Sequence, residues 1–195
     1  DALCLDKTGT LTTGGIRLRS LEILDRQRED ELFRALWSLN DDETNATARA
    51  IKEYLLNRGE LPQKDTQPSR TIPFSSERKW AAWVTHSASI VMGAPEMLID
   101  HVENLASLRA DIRSYASEGL RVLVVVRYGE AIEDHTLPTN PSALALLVLE
   151  EDLRDDATET LAYFRRQGVR VRIISGDSPT TVAALAAQVG LRSPN

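Results

Sequence analysis

The segment Asp6-Lys7-Thr8-Gly9-Thr10-Leu11-Thr12 combines a carboxylate, an ammonium, three hydroxyls and a glycine directly behind an apolar run, Ala2-Leu3-Cys4-Leu5. An aspartate at the carboxyl end of a strand stands where open α/β sheets put their chemistry. Its carboxylate can attack a phosphoryl group and become an aspartyl-phosphate. Lys7 offers positive charge to phosphate oxygens. Gly9 lets the backbone turn close to a ligand, and the successive N–H groups around it can form an anion-binding nest. An isolated Asp-Lys-Thr would read as a polar turn after a strand. Seven such residues in order behind a strand favour the phosphoryl reading.

Further segments suit the same ligand. Ser175-Gly176-Asp177 follows Val169–Ile174, which reads as a buried strand, and Ser178-Pro179 then opens a helix as cap and first residue. A loop before a helix N-terminus is a natural phosphate site. Alone it reads as an ordinary strand-to-helix turn; with the Asp6 loop, two strand ends converge on one ligand. In Phe74-Ser75-Ser76-Glu77-Arg78-Lys79 an aromatic ring lies near basic groups, a pairing that can stack on a purine and attract phosphate. A β-turn with Phe74 in the core is the alternative. Arg121 opens the apolar strand of Gly119-Leu120-Arg121-Val122-Leu123, a position suited to triphosphate oxygens.

The elements that must position these residues follow from periodicity. Helices are predicted over Glu29–Leu39, Ala46–Leu56, Pro95–Asp100, Leu105–Ser117, Asp156–Arg166 and Thr180–Val189. Strands are predicted around Lys79–Thr85, Ser89–Met92, Arg121–Arg127, Ala143–Leu149 and Val169–Ile174, and Leu61–Arg70 reads as a loop. Short adjacent strands with tight connections imply an antiparallel sheet with helices against it. The two ends of the chain carry the α/β pattern and should pack together, with the middle inserted between them.

The chain has 195 residues, is 42% hydrophobic and carries a net charge of −6. That suffices for a core and shows no basic patch, which argues against nucleic acid as a partner. No run approaches the ~20 apolar residues of a membrane span. Cys4, the one cysteine, reads as a small buried hydrophobe in a reducing setting. The chain opens at Asp1 inside a strand, which predicts a monomeric piece cut from a longer protein.

In this order, and over the whole chain, the motifs resemble the P-type ATPases, pumps that pass through an aspartyl-phosphate. The resemblance implies that Asp6 is phosphorylated, with Lys7 beside it in the catalytic motif, and that Asp6 and Thr8 hold Mg²⁺. Ser175 and Gly176 would contact phosphate, serine standing for the family's threonine, and Asp177 would lie near the nucleotide phosphates. Phe74 would stack on adenine, Lys79 would lie beside the nucleotide, and Arg121 would meet the triphosphate. Met92-Gly93-Ala94-Pro95-Glu96 resembles Lys-Gly-Ala-Pro-Glu. Met92 would line the adenine pocket without the lysine's charge, and Gly93 would permit close ligand approach. Ser76 stands where arginine is common, its contact being absent or moved to Arg78, and Ala48 stands where a glutamate is usual. Glu151-Asp152-Leu153-Arg154 resembles the Asp-Pro-Pro-Arg hinge without its prolines, Arg154 being held by the acids beside it.

The fold implied is α/β: an antiparallel sheet with flanking helices (15–150) inserted into a partial haloacid-dehalogenase-like, Rossmann-type domain (1–14 and 151–195). ATP and Mg²⁺ are the implied cofactors. The transported cation and the membrane are partners only through a full-length pump, whose cytoplasmic side this region would occupy. The inserted domain leans toward calcium, magnesium or proton pumps, without fixing the ion. The later Gly-Asp-Gly-x-Asn-Asp segment would lie beyond Asn195, so the piece alone is expected to bind nucleotide without turnover. Two alternatives remain at this point. One is a soluble phosphatase of the haloacid dehalogenase class, although Thr8 stands where a second aspartate is usual. The other is a non-catalytic nucleotide-binding module.

Overall fold

The computed structural model describes residues 2–61, 70–99, 102, 105–176 and 178–191. The chain enters through β1 (Ala2–Asp6) and, after the Asp6 loop, β2 (Thr12–Ile23). Then come α1 (Glu29–Leu39), α2 (Ala46–Asn57), β3 (Arg70–Ser75), β4 (Trp80–Val84) and β5 (Ser89–Gly93). The short α3 (Pro95–Leu98) and α4 (Leu105–Ser117) precede β6 (Arg121–Tyr128) and β7 (Ser142–Leu153). The last elements are α5 (Ala157–Arg166), β8 (Arg170–Ile174) and α6 (Pro179–Gln188).

Six strands form one antiparallel sheet in the order β2-β7-β6-β5-β4-β3. Its central strands read as continuous apolar runs because both faces are covered. Alternation along β6 shows how. Leu123 and Val125 join a core with Leu32, Leu36, Ile51 and Leu55 of α1 and α2. Val122, Val124 and Val126 join a second core with Leu98 and Leu108 on the α3–α4 side. Side chains of successive strand residues point to opposite faces, so one strand serves both cores. The helix that begins the first layer pair is well specified: Asn45 Oδ1 accepts from the N–H groups of Thr47 (2.9 Å) and Ala48 (3.3 Å) at the start of α2.

β1 and β8 form a separate parallel pair, with Asp6 opposite Ile174. A third core, of Leu11, Ala157, Leu161 and Val189, holds α5 and α6 to this pair. Two connections join the large sheet to this unit. One is the β2–β7 ribbon, paired from Ile23↔Ala145 down to Thr12↔Leu153. Its register shifts between Thr12 and Ile16, where Gly14 takes φ +82°, a conformation favourable only for glycine. The other is the packing of the end of α4 on α6. There Gln188 Nε2 donates to the Glu118 carbonyl at 2.9 Å, and Thr181 Oγ1 donates to that of Leu120 at 3.5 Å.

The predicted helices and six strands are present within a few residues, but β2 and β3 were not foreseen. In β2 a second register shift, between Leu18 and Ser20, breaks the apolar alternation that marks a strand. β3 contains Pro73, which argues against a central strand, yet β3 is the sheet edge, where proline is tolerated. Most of the predicted Leu61–Arg70 loop lies outside the described residues. Cys4 is exposed and not buried. The β1–β8 pair is covered on one face only: Leu3 and Leu5 are partly buried while Cys4 and Asp6 face out. β8 is likewise half-open, with Ile174 61% exposed, against the expectation of a buried strand.

Candidate active site

Asp6 ends β1 with an exposed carboxylate. Its Oδ1 accepts from the backbone N–H of Lys7 at 2.9 Å, which orients the carboxylate toward the loop. The loop then closes on itself: the N–H groups of Leu11 and Thr12 donate to the Lys7 carbonyl at 3.0 and 3.3 Å. Gly9 at φ +76° allows that turn, and its N–H donates to Thr12 Oγ1 at 3.2 Å. Thr12 is fully buried and supports the loop, while Thr8 and Thr10 stay exposed beside Asp6. A hard cation such as Mg²⁺ takes oxygen ligands, typically one or two carboxylates with substrate phosphates and water. The exposed oxygens of Asp6 and Thr8 suit that donor set. Among the described residues no group of three or more His, Cys, Asp or Glu side chains gathers to hold a metal.

Lys7 departs from its expected role. Its side chain is 3% exposed and forms an ion pair with Glu151 of β7, itself only 8% exposed. The ammonium is held by a protein carboxylate instead of being presented to phosphate oxygens. It joins the Asp6 loop to the ribbon that leads into the large sheet. Arg154 also differs from expectation. It pairs with Asp156 at 3.0 Å, and its hydrogen bond holds that carboxyl below the usual range. Asp152 instead lies 3.9 Å from Arg17, which pairs with Glu150 at 3.1 Å.

Ser175 and Gly176 follow β8, one strand over from Asp6, and the Lys7 N–H reaches the Ile174 carbonyl at 3.3 Å. Asp177 lies outside the described residues. Ser178 Oγ caps α6 by accepting from the Thr181 N–H at 3.2 Å.

A cleft of about 680 Å³ runs from the β3–β4 turn to the start of α6. Its apolar floor includes Ile99, Ile112, Leu120 and Val122. Phe74 stands at one end, 50% exposed, with Lys79, and Gly176, Ser178 and Thr181 form the other end, where Thr181 Oγ1 donates to the carbonyl of Leu120 beside Arg121. The structure thus brings Phe74, Lys79, Arg121 and Gly176 into one cavity. An aromatic ring half-open to solvent over an apolar floor can stack on a planar base. Lys79 Nζ lies 3.0 Å from Glu96, so that acid has a partner in the cleft as well as a place in the first turn of α3.

Three expected contacts fall elsewhere. Met92 is 8% exposed and packs in the α1–α2 core with Leu36 and Trp83, its sulfur 4.0 Å from Asn40 Nδ2. The alternation of β5 sends Val91 to the face of α3 and α4 and Met92 to the other. Gly93 is required by packing: a Cβ there would meet Trp80 Cβ at 2.5 Å and the Lys79 carbonyl at 2.6 Å. Arg78 does not replace the arginine missing at Ser76; its guanidinium lies 5.2 Å from the Trp80 ring centre and donates to the Pro73 carbonyl at 2.8 Å. Two cleft residues went unread in the sequence, Arg109 and Arg113 of α4. Their signal was the four-residue spacing that puts both on one helix face, masked by the mixed polarity of that stripe.

The family profile described as "Hydrolase: haloacid dehalogenase-like hydrolase" matches residues 1–193. The chain belongs to the haloacid dehalogenase-like hydrolases. Within this group it is similar to "Probable cation-transporting ATPase exp7" of Streptococcus pneumoniae serotype 4, at 36% identity over 97% of the chain and 24% of that protein. It is 35% identical to calcium-transporting ATPase CtpE of Mycobacterium tuberculosis, over 98% of the chain and 24% of that protein. The chain therefore spans about a quarter of the length of these relatives. Among solved structures, a zinc-transporting PIB-type ATPase in an E2.Pi state superposes with a TM-score of 0.57 at 22% identity, covering 98% of this chain and 28% of that one. That likeness shows a shared fold. As a haloacid dehalogenase-like hydrolase, the chain carries an aspartate at the end of its first strand, where the resemblance implies a phosphorylated residue.

Proposed function

We propose that this chain is the ATP-binding and phosphorylation region of a P-type pump that moves a cation across a membrane. The proposed division is 1–14 and 151–195 for phosphorylation and 15–150 for nucleotide binding. The observation that carries the reading is the cleft: Phe74 and Lys79 line it at the β3–β4 turn, and Arg121, next to Leu120 whose carbonyl accepts from Thr181 Oγ1, lines it toward the β8 loop that neighbours Asp6. An adenine on Phe74 would direct its phosphates along the cleft, with Lys79 and Arg121 offering charge-assisted hydrogen bonds to their oxygens.

Transfer requires in-line attack by an Asp6 carboxylate oxygen on the γ-phosphorus. One P–O bond forms to Asp6, the bond to the β-phosphate oxygen breaks, and ADP leaves. Mg²⁺ bound at Asp6 and Thr8 would neutralise developing charge on the phosphoryl oxygens. The protein's part is to orient Asp6, which the Lys7 N–H does, and to present backbone donors beside it, Ser175 and Gly176 being the nearest on β8. Later hydrolysis of the aspartyl-phosphate would drive transport. The calcium-transporting relatives agree with the lean toward calcium, magnesium or proton pumps. No helix among the described residues is long and apolar enough to cross a membrane; the membrane part of the pump would come from other segments of a longer chain.

The test is phosphorylation of the full-length pump by γ-labelled ATP with Mg²⁺. An acid-stable, hydroxylamine-sensitive phosphoenzyme that Asp6→Asn abolishes supports the reading. Label that persists in Asp6→Asn overturns it, and turnover of small phosphate monoesters without ATP binding overturns it in favour of the soluble phosphatase.

A further inference from the structure

We infer that Arg109 and Arg113 of α4 form a polyphosphate grip, setting the cleft's preference for nucleoside triphosphate over monophosphate. The inference rests on the nucleotide reading above and concerns residues that no motif singled out.

Residues 109, 112, 113 and 116 of α4 all line the cleft. Their spacing of three and four makes a single helix face. The helix cannot turn that face away, because Leu108 is buried in the α3–α4 core and Tyr115 packs against it. Ile112 and Ala116 continue the apolar floor, while the two guanidiniums border it. The acid within this stretch of α4, Asp111, is not among the cleft residues. The whole chain has a net charge of −6, yet among the described residues the cleft has four cations, Lys79, Arg109, Arg113 and Arg121, against the single carboxylate of Glu96. Glu96 in turn already pairs with Lys79 at 3.0 Å.

Such a concentration of guanidinium fits an anion with several oxygens on adjacent centres, since each fork can meet two oxygens at once. It does little for a base or a ribose. Arg109 and Arg113 are one turn apart, about 6 Å along the axis, so they can meet successive groups of an extended polyanion. The C-terminal end of α4 docks on α6 through Glu118 and Gln188. Arg113, the nearer to that end, therefore lies further toward the phosphorylation unit than Arg109.

The experiment is calorimetric titration of this chain with ATP and with AMP, using wild type, Phe74→Ala, Arg109→Gln/Arg113→Gln and the matching Arg→Lys pair, each checked for an unchanged thermal transition. The double glutamine variant is expected to weaken ATP about tenfold or more, on the scale of charge-assisted hydrogen bonds, and AMP less than twofold. The lysine pair, which keeps charge without the fork, should recover part of the loss. An unchanged ATP-to-AMP ratio in the glutamine variant, with Phe74→Ala still weakening both nucleotides, overturns the grip and leaves the nucleotide reading standing. ATP binding that Phe74→Ala leaves untouched, or none in the wild type, overturns both.

Discussion

Replacing Lys7 with methionine would strand the Glu151 carboxylate at the base of the ribbon. Both side chains are nearly inaccessible, at 3% and 8% exposure, and Glu151 Oε2 already has no hydrogen-bond partner among the described residues. Removing one member of a buried pair leaves the other charge desolvated and costs about 3–5 kcal/mol. For a chain of this length that lowers the melting temperature by about 6–20 °C. The companion change Glu151→Leu should be similarly costly alone. Together, Lys7→Met/Glu151→Leu should recover most of the loss, because two apolar groups of similar volume leave no buried charge. Urea and thermal unfolding of the four proteins of this cycle, followed by circular dichroism, read the coupling directly. If Lys7→Met stays within about 1 kcal/mol of wild type, the scale of an exposed pair, the ammonium is not held by Glu151. Its motif role as a phosphate contact would then return.

Other expectations follow from placement. Met92→Lys should lower stability and leave ATP affinity unaltered, since the site lies in the α1–α2 core and a charge there lacks water; tighter ATP binding with an unchanged melting curve would return Met92 to the pocket. Gly93→Ala should cost about 1–3 kcal/mol or more by overpacking, because its Cβ would sit 2.5 Å from Trp80 Cβ; chemical denaturation measures it. Ser178→Ala should remove the α6 cap at about 1 kcal/mol, read by the same method. Alkaline titration should show two late tyrosines. Tyr115, by its hydrogen bond to Glu22 and then by burial, and Tyr128, by burial, are both pushed up from 10.0 to about 12. Their neutral forms are favoured by the fold, so this stability is full below pH 10 and is lost as pH rises through about 12. Phenolate absorbance for these two appearing at pH 10 would contradict their surroundings.

Much of the fold could be read from local signals. Helices with an apolar stripe and clear stops, such as Glu29–Leu39 and Leu105–Ser117, match the structure at both ends. The strands that escaped detection did so for local reasons: register shifts hide the alternation of β2, and proline disguises edge strand β3. The placement of candidate residues was legible where it depends on chain order, as with Asp6 at the end of β1 or Ser175 after β8. It was illegible where position depends on strand parity. Whether Met92 faces a ligand or a core is decided by one step along β5, and no motif carries that. Arg109 and Arg113 gain meaning only once α4 is laid beside Phe74.

The manner in which the two units are joined constrains how they can move. β2 and β7 cross together, hydrogen-bonded side by side, with Arg17 bridging Glu150 and Asp152 across them. Such a strip flexes across its thin dimension and resists bending within its own plane, so a displacement of one unit against the other would have one soft direction. At the far side, the catch between α4 and α6 consists of two side chains, Gln188 and Thr181, donating to main-chain carbonyls. Water can replace either donor. The catch is therefore light, and the stiffness of the strip, more than the strength of the catch, would govern any displacement of one unit against the other.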